Sequence, residues 1–274
     1  MLTRTIVGVA FAIVYLLFLV VLPPMWLAIA LAGVVALASY ELLRAVKAAP
    51  RPYMYGITAV AAASIPVGFW AGKGSVVVYG AALLLLITLF FTAIRHFEDG
   101  ASTVHYEQIM VCLFGGPLVP VCLSALVQLR CMENGRFLVL VPVICASITD
   151  VGAYFVGMFL GKHRGVTRVS PNKSLEGYVG GILFGCLIMM LYAVVVVQGF
   201  AKLEVSMPLM ALYGLLGSAV TELGDLSFSL IKRQHRVKDY GRLMPGHGGM
   251  MDRFDSTVFA APTILFLVEL FPAF

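Results

Sequence analysis

The amino-acid sequence predicts an all-α, polytopic integral membrane protein of about nine transmembrane helices, and three observations carry that expectation. Of 274 residues, 61% are hydrophobic and only 12% are charged, against about 25% charged in soluble domains. Mean hydropathy is +0.97. The apolar residues gather into long runs separated by short connections punctuated with proline and glycine, as helices that cross about 30 Å of hydrocarbon require. A soluble core cannot hide this much apolar surface, so lipid is the expected solvent for much of the chain.

In chain order the runs cover about residues 5–22, 25–43, 54–71, 75–94, 108–128, 137–160, 177–198, 208–231 and 256–272. The first meets the second directly after Pro23 and Pro24, and no small-residue cleavage site follows it, so a retained helix is expected rather than a removed signal peptide. No polar linker or low-complexity stretch divides the chain, which points to one integrated membrane domain. Residues 1–135 supply spans one to five. Residues 136–274 supply spans six to nine, with polar loops at 161–176 and 232–255.

Orientation follows from the basic residues. Of the 19 lysines and arginines, all but Lys73, Arg130, Arg136 and Lys202 fall in connections on one side. The positive-inside rule places that side, with the N-terminus and both long loops, in the cytoplasm and the C-terminus outside. A multi-pass protein of the cell membrane is expected, its polar loops facing the cytoplasm. The net charge of +5 then reports orientation, and nucleic-acid binding is not expected. The five cysteines are scattered, form no CxxC or Cys/His grouping, and read as small packing residues.

Carboxylates within the apolar runs are the chemically unusual feature, because an ionised acid near mid-bilayer costs several kcal/mol unless it meets a partner, a metal or water. Asp150 precedes the cytoplasmic end of span six by ten residues, about 15 Å of helix. In span eight Glu222 and Asp225 share a helix face that Ser229 and Lys232 extend toward the cytoplasm, and Asp252 and Asp255 repeat the three-residue spacing at the start of span nine. Each acid can be neutralised by an arginine or lysine that locks helices together. Three acid-bearing spans with every acid in the cytoplasmic half favour a polar cleft opening inward. Hard oxygen ligands without a His/Cys group suit Mg²⁺ rather than Zn²⁺. Glu41 with Arg44 reads as an ordinary interfacial i,i+3 pair, and neither Glu41 nor Glu269 receives a function.

The loop from Gly161 to Gly177 is dense in phosphate-friendly groups: Ser170, Lys173 and Ser174 offer donors, and the N-terminus of span seven follows at Glu176 and Gly177. The same residues also suit a basic loop resting on anionic headgroups, with Ser174 as a helix N-cap. The GxxxxGK[ST] pattern of P-loop ATPases is absent.

Residues 229–256 carry the pattern S-x-x-K-R-x4-K-D-x-G-x3-P-G-H-G-G-x2-D-R-x-D-S. It resembles the signature of the phosphatidate cytidylyltransferase (CDP-diacylglycerol synthase) family. A second block, Asp150-x-Gly-Ala-Tyr154-x-x-Gly157 followed by Gly161-Lys162 and Ser170-Pro-x-Lys-Ser-x-Glu-Gly177, is similar to the upstream motif of that family. Asn172 stands where the family commonly has a basic residue, and Ser174 where threonine is usual. The likeness covers about residues 145–260 in detail.

The resemblance implies Mg²⁺-dependent transfer of CMP from CTP to phosphatidic acid, giving CDP-diacylglycerol and pyrophosphate. Both substrates are anions, so catalysis is chiefly positioning and charge neutralisation. Carried onto this chain, it makes Asp225 and Asp252 metal ligands, with Asp255 close behind and Asp150 next. Lys232, Arg233, Lys238 and Arg253 bind triphosphate and lipid phosphate, with Asp239 beside them in the catalytic set. Gly246, Gly248 and Gly249 form a turn whose N–H groups approach phosphate, and His247 orients a phosphate rather than acting as an obligatory base. Asp150, Tyr154, Ser170, Lys173, Ser174, Glu176 and Ser256 complete the expected substrate contacts. CTP, phosphatidic acid and membrane lipids are the expected partners, and a homodimer is plausible from the family.

Two other classes fit parts of this pattern. A cation-coupled transporter can use buried acids, but predicts inverted repeats with broken helices, and no such repeat is visible. A CTP-using polyprenol or phytol kinase, or an archaeal-lipid cytidylyltransferase, shares the nucleotide; the P-G-H-G-G-x2-D-R-x-D-S block favours the diacyl-lipid enzyme. The DGx2AR-type run of a CDP-alcohol transferase is absent.

Overall fold

The computed structural model describes residues 2–49, 51–98, 104–243 and 248–274, with residues 2–7 as backbone only. Every apolar run is a helix, and no β-strand forms among the described residues. The elements are α1 (Leu2–Leu16, continuing as a π-helix Leu17–Val21), α2 (Pro24–Ala45), α3 (Pro52–Trp70), α4 (Gly74–Glu98), α5 (Tyr106–Leu113), α6 (Val119–Cys131), the single turn α7 (Gly135–Leu138), α8 (Leu140–Leu160), α9 (Leu175–Tyr192), α10 (Met207–Gln234) and α11 (Met251–Leu270). The helices coincide in place with the expected runs. Among the described residues, six stretches are long and apolar enough to cross a membrane: α2, α3, α4, Tyr106–Cys131, Gly135–Leu160 and Leu175–Phe200. The first apolar helix is shorter, Gly8–Val21, and α10 and α11 carry the acids and bases of the motif.

Proline sets several boundaries. Pro24 and Pro52 sit at the first turns of α2 and α3, where their missing N–H leaves no bond unmade. Between α5 and α6 the rod passes through a π segment, Phe114–Leu118, that contains Pro117; removing one donor there shifts the hydrogen-bond register by a residue.

The chain forms two compact units, Met1–Cys131 with Gln234–Phe254, and Met132–Arg233 with Asp255–Phe274. In the first, Leu31, Leu42, Ile65, Leu85 and Leu123 are buried among α2, α3, α4 and α6. Arg130 is buried there as well. Its Nε donates to the Leu19 carbonyl at 2.8 Å and its Nη2 to the Leu22 carbonyl at 3.1 Å, satisfying the carbonyls at the end of the first apolar helix, where the chain turns away at Pro23.

The second unit is built on close backbone contact. Gly177, Gly181 and Gly185 recur every fourth residue on α9. A Cβ at Gly177 would lie 2.9 Å from the Ala153 carbonyl, and one at Gly181 would lie 2.8 Å from that of Thr149. This small-residue stripe lets α8 and α9 pack at backbone distance, the geometry that membrane helices use in place of a hydrophobic drive. Gly224 plays the same part for α10, where a Cβ would meet the Asp255 carbonyl at 3.1 Å. These contacts bring the acid-bearing faces of α8, α10 and α11 together.

Candidate active site

The three-residue spacing of Glu222 and Asp225 does place both on one face of α10, and both reach the same cation. Lys173, in the loop just ahead of α9, sets its Nζ 2.7 Å from Glu222 Oε2 and 2.8 Å from Asp225 Oδ2. The ammonium lies 5.3 Å from the Tyr178 ring centroid, a cation–π contact that adds to the pairing. Burial alone would lower the Lys173 pKa, but the charges of Asp225 and Glu222 outweigh it and hold the amine above its ordinary value. For Glu222 the neutralising-lysine reading therefore holds. Its other oxygen, Oε1, is buried without a hydrogen-bond partner.

Two turns onward on α10 the pairing repeats with a looser contact. Lys232 Nζ lies 3.7 Å from Asp255 Oδ2, and Asp255 also accepts the Ser256 N–H at 2.8 Å and sits near its hydroxyl. Asp255 and Ser256 are buried. Asp255 is within electrostatic reach of Asp225 and Asp150. Carboxylates and ammonium groups thus alternate along one cleft of this unit.

The loop before α9 is held by its own side chains. Ser174 caps the helix, its Oγ accepting the Gly177 N–H at 3.1 Å. Glu176 accepts the backbone N–H of His163 at 3.2 Å and contacts His163 Nδ1 at 2.5 Å. Ser170 donates its backbone N–H to Thr167 Oγ1, and Arg233 reaches back to the Val169 carbonyl at 3.4 Å. Between this loop and α8 lies a cavity of about 410 Å³, lined by Asp150, Tyr154, Arg164, Asn172, Lys173 and Ser174. That is the scale of small-ligand sites, and its lining combines the α8 residues Ala153, Gly157 and Met158 with the cations Arg164 and Lys173. Arg164 was not singled out by the sequence reading.

Tyr240, Gly249 and Asp252 of the other motif belong to the first unit, where the carboxylate is met differently. Asp252 Oδ2 accepts the backbone N–H of Tyr240 at 2.8 Å and of Gly249 at 3.0 Å, tying the two ends of the glycine-rich segment to the first turn of α11. Gly248 adopts φ +82°, a left-handed conformation that glycine accepts without strain. Lys238, Asp239 and Arg253 are exposed. Pro245, Gly246 and His247 lie outside the described residues.

Sequence reasoning missed Glu41. It is buried, not interfacial, and it accepts the Met251 N–H at 2.9 Å. An acid within the last turns of an apolar helix is the signal that was available, but its partner lies 210 residues away.

The ligand set can be tested for magnesium on its own chemistry. Among the described residues no three His, Cys, Asp or Glu side chains converge into a ready-made cage. Asp150 and Asp225 are oxygen donors that both lie within electrostatic reach of Asp255, and Lys173 already occupies a cation position on Asp225. A hard ion that keeps most of its waters and takes one or two carboxylates fits such a set.

The chain as a whole is similar to known proteins. The sequence profile of the cytidylyltransferase family matches residues 2–271. The phosphatidate cytidylyltransferase of Bacillus subtilis (strain 168) is 30% identical over 273 residues, 98% of this chain and 97% of that protein. That of Mycobacterium bovis is 32% identical over 279 residues, 97% of this chain and 88% of the relative. A Staphylococcus epidermidis relative of the same name is 33% identical over 183 residues, 67% of this chain and 68% of its own.

Proposed function

The chain belongs to the cytidylyltransferase family, and we propose that it is a phosphatidate cytidylyltransferase, transferring CMP from CTP to phosphatidic acid. As a multi-pass membrane nucleotidyltransferase it would serve phospholipid biosynthesis. A phosphate oxygen of phosphatidate attacks the α-phosphorus of CTP, a new P–O bond forms, and the bond to the β-phosphate breaks with pyrophosphate leaving. Phosphatidate is already an anion near neutral pH, so no general base is needed for the attack. The chain's own contribution is to hold two anions together and in line.

The observation that supports this most is the alternation of Asp150, Asp225 and Asp255 with Lys173 and Lys232 beside a cavity that Arg164 also lines. Lys173 and Arg164 neutralise a phosphate entering the cavity, and the apolar α8 residues of its lining suit the acyl end of a lipid. Magnesium, when bound, would be held by Asp225 and Asp255 and would neutralise charge on the reacting phosphates. Lys238, Arg253 and the glycines at 248 and 249 are assigned to phosphate binding on the same resemblance. The cell membrane, a cytoplasmic active site and a homodimer belong to this reading.

The test is pyrophosphate release by the purified protein in detergent with CTP, phosphatidic acid and Mg²⁺. Release that requires both substrates, with CDP-diacylglycerol as the lipid product, is expected. Consumption of CTP with an isoprenoid alcohol and not phosphatidate would transfer the assignment to a lipid kinase.

A further inference from the structure

Glu41 sits one turn from the C-terminal end of α2, where an anion opposes the helix dipole, and it is buried. A buried carboxylate in so unfavourable a position persists only where donors surround it. The donors here come from the glycine-rich motif. Oε2 accepts the Met251 N–H at 2.9 Å. Gly241 and Gly249 flank the same carboxylate so closely that a Cβ at either position would collide with it. Beside it, Asp252 takes the Tyr240 and Gly249 amides. Two carboxylates therefore gather the amides at both ends of one segment, and a side chain at Gly241 or Gly249 would force the Glu41 carboxylate to shift.

We infer that Glu41 is a positioning residue for the reaction: it is the post against which Gly241, Gly249 and Met251 are set, and it thereby fixes the register of Asp252 and Arg253 at the start of α11. The role rests on the cytidylyltransferase reading for its catalytic consequence and on the first unit's geometry for the contact itself. It explains why the motif carries glycine at 241 and 249, which phosphate approach alone does not demand at both sites. Glu41 touches no substrate in this role; its effect passes through the backbone it holds.

The experiment uses the full-length protein in detergent with four variants: Glu41→Gln, Glu41→Ala, Gly249→Ala, and Gly249→Ala combined with Glu41→Asp. Hydrogen exchange is measured peptide by peptide, and kcat and KM for CTP and phosphatidate are measured in parallel. In Glu41→Ala, exchange across 238–252 should rise by about tenfold while α3 and α4 keep wild-type protection. Its kcat should fall by about tenfold or more, with KM for phosphatidate within about twofold, and Glu41→Gln should show a smaller change in the same direction. Gly249→Ala should lose rate, and shortening Glu41 to Asp should restore part of it by making room for the new methyl group. Unchanged exchange and rate in both Glu41 variants would overturn the inference. So would exchange rising uniformly through α2, α3 and α4, which would make Glu41 a scaffold residue. If the wild-type protein transfers no CMP, the proposed reaction falls, and the exchange pattern with the paired substitution still decides whether Glu41 holds the segment.

Discussion

The two units handle the same chemical problem, carboxylates in an apolar setting, by opposite means. In the second unit Glu222, Asp225 and Asp255 are met by the side-chain ammonium groups of Lys173 and Lys232. In the first, Glu41 and Asp252 are met by backbone amides of Tyr240, Gly249 and Met251. An ammonium on a flexible stem can step aside for a metal or a phosphate; an amide fixed in the chain cannot. The lysine-paired acids are thus poised for exchange with ligands, and the amide-paired acids give the segment its shape.

The largest effect that can break this contrast is expected at Lys173. Lys173→Met leaves Glu222 buried without its cation, a loss worth about 3–5 kcal/mol for a buried pair, read as a lower unfolding midpoint in detergent together with lost activity. Next comes Asp225→Asn. Lys173 keeps Glu222 as partner in that variant, so the unfolding midpoint should move by no more than about 3 °C, while CMP transfer falls by about 100-fold or more. Asp252→Asn should differ in kind: its new amide group opposes the Tyr240 or Gly249 donor, costing about 1–2 kcal/mol of local stability as well as rate. Equal midpoint shifts in the two aspartate variants would erase the distinction between the regions.

Two smaller effects sharpen it. The acids hold the Lys173 amine above its ordinary value near 10.4. A raised pKa means that the stabilisation is complete below the unfolded value and is lost only as pH climbs through the folded one. Stability attributable to this pair should therefore stay flat from about pH 6 to about pH 10 in wild type compared with Lys173→Met. The smallest change is expected for His163→Ala. The imidazole is exposed and its contact with Glu176 accessible to water, so the midpoint should stay put and the rate within about twofold.

Much of this was legible in the sequence because it is local. Run length and proline placement located the helices, and three-residue spacing put Glu222 with Asp225 before any contact was known. Ser174 carried both of its readings, and the structure shows it capping α9. What was not legible depends on chain segments meeting across long separations. Lys173 appeared as a phosphate donor, yet its partners lie on α10, 49 residues on for Glu222. Glu41 appeared as half of a surface pair because its neighbour Arg44 is visible in sequence and Met251 is not. The crossing count is also only partly readable, since α10 and α11 trade apolarity for the charges of the motif.

The central claim is that the lysine-bridged carboxylates of α10 and α11 serve CMP transfer to a lipid phosphate. The most direct test is formation of CDP-diacylglycerol from CTP and phosphatidic acid by wild type and by Asp225→Asn, with equal folding verified by unfolding midpoint. The expected result is magnesium-dependent product from wild type and almost none from the folded variant. A folded Asp225→Asn protein that makes CDP-diacylglycerol at close to the wild-type rate would contradict it.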